Sequence, residues 1–112
     1  MKKAKRINTA EFLKGLVKEI GDIWSTAIES QFSSPRFGRA AIERVVARAA
    51  NILGRPIRFG TSVDPDARLW GYLVVDGEEV YFVANRLGAF IVDPSKVEEA
   101  YAPVAFAVEV GA

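Results

Sequence analysis

At Pro56 the spacing of apolar residues changes from one in three or four to one in two, and no single class of secondary structure carries both halves. Upstream, Phe12, Leu13, Leu16, Val17, Ile20, Ile23, Trp24, Ala27 and Ile28 form one stripe at helical spacing, with Lys14, Lys18, Asp22, Ser25 and Glu29 mainly on the other side. Asn8 is positioned to cap this helix, with Glu11 three residues on as the second half of a capping box. Gly15 and Gly21 weaken it by up to about 1 kcal/mol each relative to Ala, so a close neighbour or a slight bend is expected near Gly21. QFSSPRFG interrupts the pattern. Ser34 and Pro35 then open a second helix with Ile42, Val45, Val46, Ala49, Ile52 and Leu53 as its apolar stripe, closed by Gly54 and Pro56. A short connection between two such helices predicts an antiparallel αα-hairpin.

Downstream the alternation is that of strands. Ile57 and Phe59 alternate with Arg58 and Gly60 in a short first strand, and TSVDPDAR reads as a polar loop. LWGYLVV, Asp76-Gly77 and EEVYFVAN make a β-hairpin closed by a two-residue turn of positive φ. A second turn at Asn85-Arg86-Leu87-Gly88 leads to AFIVD. Asp93-Pro94 starts a short helix, PSKVEEAY, and VAFAVEV follows as a last strand. The expected fold class is α+β: an N-terminal αα-hairpin packed on a mostly antiparallel β-sheet of about five strands, with a short third helix before the last strand. With 112 residues there is room for one core, so residues 8–112 are expected to form a single domain behind a basic, frayed N-terminus at 1–7.

The net charge of +1 hides an asymmetry. Residues 1–58 hold twelve Lys/Arg and five Asp/Glu, a net of +7, and residues 59–112 hold three and nine, a net of −6. Either a basic helical layer lies across an acidic sheet, or a basic face is turned toward an acidic partner. Six of the arginines fall within residues 36–58. Arg44, Arg48 and Arg55 project together along one edge of the second helix, where arginine suits both a solvated face and bidentate contact with phosphate. No aromatics are interleaved with them, as a single-strand stacking platform requires, and QFSSPRFG is longer than the turn of a helix-turn-helix.

If Asp76-Gly77 is the whole turn, Val75 pairs with Glu78, and the register runs through Tyr72 with Tyr81 to Trp70 with Val83. Leu69, Leu73, Val75, Val80 and Phe82 then share the face under the helices. The opposite face carries Trp70, Tyr72, Val74, Tyr81 and Val83, where a sheet open to water would carry polar residues. Either another element of the chain covers Trp70, Tyr72 and Tyr81, or that face meets a partner.

Catalytic chemistry has little to work with. There is no His and no Cys, so neither an imidazole base nor a thiolate is available. No catalytic residue, metal ligand or cofactor is assigned. Asp64 and Asp66 in VDPDAR, and Asp76, Glu78 and Glu79 at the hairpin tip, match no calcium-loop spacing and read as solvated turn acids. The nine glycines sit singly, without a phosphate-cradling loop. No run of apolar residues is long enough for a membrane span or a secretory signal, which makes a cytoplasmic location the expectation.

The expectation is therefore a non-enzymatic protein-interaction module or inhibitor that covers a partner's surface through Trp70, Tyr72 and Tyr81, through Arg44, Arg48 and Arg55, or both. In size and composition alone it is similar to phage or mobile-element proteins that block host defence machinery by occlusion. The alternatives are a nucleic-acid-binding domain using the arginine edge, and a subunit that self-associates through the aromatic sheet face.

Overall fold

The structure is a computed structural model that describes residues 8–29, 35–95 and 108–110. Two helices lie on one face of an antiparallel sheet. Helix α1, Thr9–Glu29, begins where expected. Asn8 Oδ1 accepts the N–H of Glu11 at 3.0 Å, and the Asn8 carbonyl accepts that of Phe12 at 2.9 Å, which satisfies two of the four donors a helix leaves unpaired at its start. Helix α2, Pro35–Leu53, starts at the expected proline. Gly54 ends it at φ 78°, and the N–H groups of Gly54 and Arg55 both donate to the Ala50 carbonyl.

The strands are β1, Ile57–Val63; β2, Leu69–Val75; β3, Glu78–Asn85; and β4, Gly88–Val92. They pair antiparallel side by side in chain order. The hairpin register is the one read from the turn, from Val75 with Glu78 to Trp70 with Val83, and Asp76 and Gly77 take φ of 50° and 83°. The first strand is longer than its alternation suggested. Thr61, Ser62 and Val63 belong to β1 and not to a polar loop, because they continue its ladder opposite Gly71, Trp70 and Leu69. Of the expected last strand, the described part is a three-residue strand β5, Val108–Val110, paired antiparallel with Ile57–Phe59. The expected third helix lies outside the described residues beyond Pro94 and Ser95.

The core forms between the helices and one sheet face. Leu13, Leu16, Val17, Ile20 and Trp24 of α1 and Ile42, Val46, Ala49, Ala50 and Leu53 of α2 pack on Ile57, Phe59, Leu69, Leu73, Val75, Phe82 and Ala84. Two details of α2 differ from the sequence reading. Ala50 is fully buried, and Ile52, expected in the stripe, is 62% exposed. The buried arc of α2 is centred on Ile42, Val46 and Leu53, and 100° per residue carries Ile52 out to its solvent flank.

The close neighbour expected at Gly21 is strand β4. A Cβ at position 21 would lie 2.7 Å from Ala89 Cβ, so the missing side chain lets α1 rest directly on the sheet. Two polar contacts fix the same helix from its far end. The Trp24 indole N–H donates to the Ala67 carbonyl at 2.9 Å, and the Ser25 hydroxyl donates to the Arg86 carbonyl at 2.6 Å. Among the described residues, no helix is long and apolar enough to cross a membrane.

Candidate functional site: the outer face of the sheet

The period of two that sends Leu69, Leu73 and Phe82 to the core sends their neighbours to the opposite face. There Trp70 pairs across to Val83 and on to Phe90, and Tyr72 to Tyr81 and on to Val92. Neither described helix lies on this face, since both belong to the core on the other. The Tyr72 and Tyr81 rings are 5.9 Å apart between centroids and tilted by 44°, a favourable aromatic pair at a directly opposed position. Tyr72 also leans over Gly60 on β1, where a Cβ would come within 2.6 Å of its ring. The two tyrosines and Val74, Val83 and Val92 are half-buried, and Phe90 is 49% exposed.

Trp70 differs from its neighbours, being only 7% exposed. Its indole N–H donates to Asp64 Oδ2 at 2.9 Å, and the Arg68 guanidinium lies 5.8 Å from the ring centroid, within cation–π range. Asp64 organises the whole β1–β2 connection. Its Oδ1 accepts the backbone N–H groups of Asp66 and Arg68 at 2.9 and 3.0 Å, and its Oδ2 also accepts Arg68 Nε at 2.8 Å. The reading of Asp64 as a solvated turn acid is thus corrected: the residue is 6% exposed and takes four hydrogen bonds. Burial pushes its carboxyl up, but the bonds from Trp70, from the Arg68 backbone and side chain, and from the Asp66 backbone outweigh that and hold it below the usual carboxylate value. The Asp66 carboxylate, by contrast, is exposed and meets the Arg68 guanidinium at 3.2 Å.

The arginines do not join this face. Arg44 and Arg48 are exposed on the solvent side of α2, with no ion-pair partner among the described residues. Arg55 is turned elsewhere: Nη1 donates to Asp76 Oδ2 at 2.7 Å and Nη2 to Thr9 Oγ1 at 3.3 Å, tying the end of α2 to the hairpin tip and to the start of α1. The expected three-arginine edge is therefore two exposed arginines and a structural clamp. Five of the six candidate residues divide between opposite sides of the molecule, with Trp70, Tyr72 and Tyr81 beneath the sheet and Arg44 and Arg48 above the helices, and the sixth, Arg55, joins neither group. Phe90, the most exposed aromatic described on the sheet face, had a legible signal: continuing the alternation through the Asn85–Gly88 turn places it opposite Val83. Among the described residues, no three carboxylates gather as a cation site would need.

No protein-family model matches the chain, and neither do any curated protein or solved structure.

Proposed function

We propose that this chain is a non-enzymatic protein-interaction module, or an inhibitor acting by occlusion, and that the outer sheet face is its contact surface. One observation supports this above the others. Tyr72 and Tyr81 are directly opposed on β2 and β3, Phe90 stands in the neighbouring row beside Val83, and Val74, Val83 and Val92 complete an apolar patch on a face that neither described helix covers. Aromatics held on rigid strands give contact area at low entropic cost, and such residues dominate the energetics of protein interfaces. Trp70 borders this patch, in the same row as Val83 and Phe90. Anchored to Asp64, it fixes the β2 end of the surface and contributes shape more than exposed area. The contact residues of this reading are Tyr72, Tyr81 and Phe90, with Trp70 at their edge.

Nucleic acid is the less supported occupant, because Arg55 is committed to Asp76 and Thr9, and only Arg44 and Arg48 remain on the edge. Affinity capture from a lysate of the organism that encodes the chain, with and without nuclease, tests the two together. The expected result is a defined protein that survives nuclease, is retained by the Arg44→Ala/Arg48→Ala variant and is lost with Phe90→Glu. Capture that disappears with nuclease, or that Phe90→Glu leaves intact, overturns the reading.

A further inference from the structure

We propose that the solvent side of the two-helix layer is a dimer interface, and that its occupant is a second copy of this chain. This surface is distinct from the sheet face and does not depend on it.

Two depressions of about 480 and 400 Å³ lie end to end between α1 and α2. The first has Asp22 and Ile23 on its α1 wall and Ala41 and Arg44 on its α2 wall. The second sets Phe12, Gly15 and Glu19 against Val45, Arg48 and Ile52. Steps of three and four residues link these positions along each helix, so they form one face. Its middle is apolar, with Phe12, Ile23, Ala41 and Val45 half-buried and Ile52 62% exposed, while Gly15 and Ala41 leave it shallow. Its α1 rim is acidic, with Glu19 and Asp22, and its α2 rim is basic, with Arg44 and Arg48. Lys14 and Lys18 project to the flank of α1 away from it.

The charges along this face do not satisfy one another within the chain. Among the described residues Glu19, Arg44 and Arg48 form no ion pair, and the Asp22 carboxylate pairs only with Lys18, at 3.7 Å and exposed. A face split into an acidic half and a basic half is self-complementary under one particular symmetry. A two-fold axis parallel to the helices, in the plane of contact, lays α1 of each copy over α2 of the other and keeps every residue at its own level. Asp22 shares a level with Arg44, and Glu19 shares one with Arg48, since each pair lines the same depression. The operation therefore sets Asp22 against Arg44 of the second copy and Glu19 against its Arg48, twice each, around a shared apolar strip. A two-fold across the helices lays α1 on α1 and opposes acid to acid. A net charge of +1 adds no long-range repulsion between copies. The product is a four-helix layer carrying the two aromatic sheet faces outward on opposite sides.

Charge exchange tests this directly. Sedimentation equilibrium of the full chain, from micromolar to hundreds of micromolar, is expected to show a dimer that weakens with added salt. Glu19→Arg alone and Arg48→Glu alone each place like charges across the two-fold and are expected to weaken it by about tenfold or more. The double variant Glu19→Arg/Arg48→Glu restores the pair with its signs exchanged and is expected to recover the dimer. All the substituted positions are exposed, and a thermal melt of each variant separates loss of assembly from loss of fold. A monomer across the concentration range overturns the proposal. So does a dimer indifferent to the single reversals, or one that the double variant fails to restore.

Discussion

The indole N–H of Trp70 donates to Asp64 Oδ2 at 2.9 Å, and through that bond the β1–β2 connection and the outer face of the sheet are built as one unit. The acid lies at the end of β1, the tryptophan opposite Ser62 in β2, and both are almost fully buried. A buried carboxylate is tolerated only when its lone pairs are filled, and four donors fill these. Asp64→Asn puts an amide N–H₂ where Trp70 and Arg68 present donors of their own. It is expected to cost about 1–3 kcal/mol in urea denaturation. Asp66→Asn, two residues away and exposed, is expected to stay within about 0.5 kcal/mol of the parent.

The same carboxylate makes stability depend on pH in a definite direction. Its folded pKa lies below the value of about 3.9 that an aspartate has in an unfolded chain. The unfolded state therefore takes up a proton first as the pH falls. The contribution of Asp64 is complete above the unfolded value and is lost as the pH drops through the folded one. The amide of the Asp64→Asn variant does not titrate in this range. The stability gap between the parent and that variant is expected to be flat from neutrality to about pH 5 and to narrow below about pH 4. A gap that widens with acid would contradict the network.

Glycine and aromatic residues cooperate on both faces of the sheet. Tyr72 leans over Gly60 on the outer face, and Phe82 over Gly71 on the core face, where a Cβ would come within 2.5 Å of the ring. Each ring occupies the place of the absent side chain. Gly60→Val is expected to displace the Tyr72 ring, cost about 1–3 kcal/mol and change the near-ultraviolet circular dichroism of the tyrosine pair. An unchanged spectrum would mean that the ring does not depend on the glycine.

Much of the fold was legible where one local rule decided the outcome. The Asp76-Gly77 turn set the hairpin register, Asn8 and Gly54 marked helix ends, and the two periodicities assigned the core apart from Ala50 and Ile52 on α2. Features decided by partners distant in sequence were not legible. Nothing local in VDPDAR distinguishes a solvated acid from one that organises four donors, because Trp70 reaches Asp64 only once β1 and β2 pair. Thr61 and Ser62 read as loop until the ladder with Gly71 and Trp70 exists. Arg55 counted with its helical neighbours, although Gly54 turns the chain and brings it to Asp76, twenty-one positions on. The division of aromatics and arginines between opposite sides, by contrast, followed from the alternation, which set Leu69, Leu73 and Phe82 under the helices and Trp70, Tyr72 and Tyr81 on the far face of the sheet.

Arg55 and Asp76 meet at 2.7 Å with side chains 37% and 59% exposed. Solvent at both groups screens the attraction, so a double-mutant cycle is expected to return a coupling of about 0.2–1 kcal/mol, smaller at high salt. Arg55→Ala also removes the bond to Thr9 Oγ1, and its single cost is expected to exceed the coupling itself. A coupling above about 2 kcal/mol would show a better-shielded pair than this exposure implies.

Trp70 and Phe90 separate folding from binding on the outer face. Trp70 is 7% exposed and hydrogen-bonded to a buried acid, so Trp70→Ala opens a cavity and strips Asp64 of a donor. It is expected to cost about 3–5 kcal/mol, visible as a lower urea midpoint before any partner is added. Phe90 is 49% exposed in β4, so Phe90→Glu gives up only part of a side chain's burial and is expected to cost about 1–2 kcal/mol, less than Trp70→Ala. Under the proposed function the exposed residue, and not the buried one, reports on recognition. Phe90→Glu should abolish capture of the protein partner by a folded chain, whereas Trp70→Ala should weaken capture only in proportion to the unfolded fraction. If capture survives Phe90→Glu while the fold is intact, the contact surface lies elsewhere, and the helical face is the next place to search.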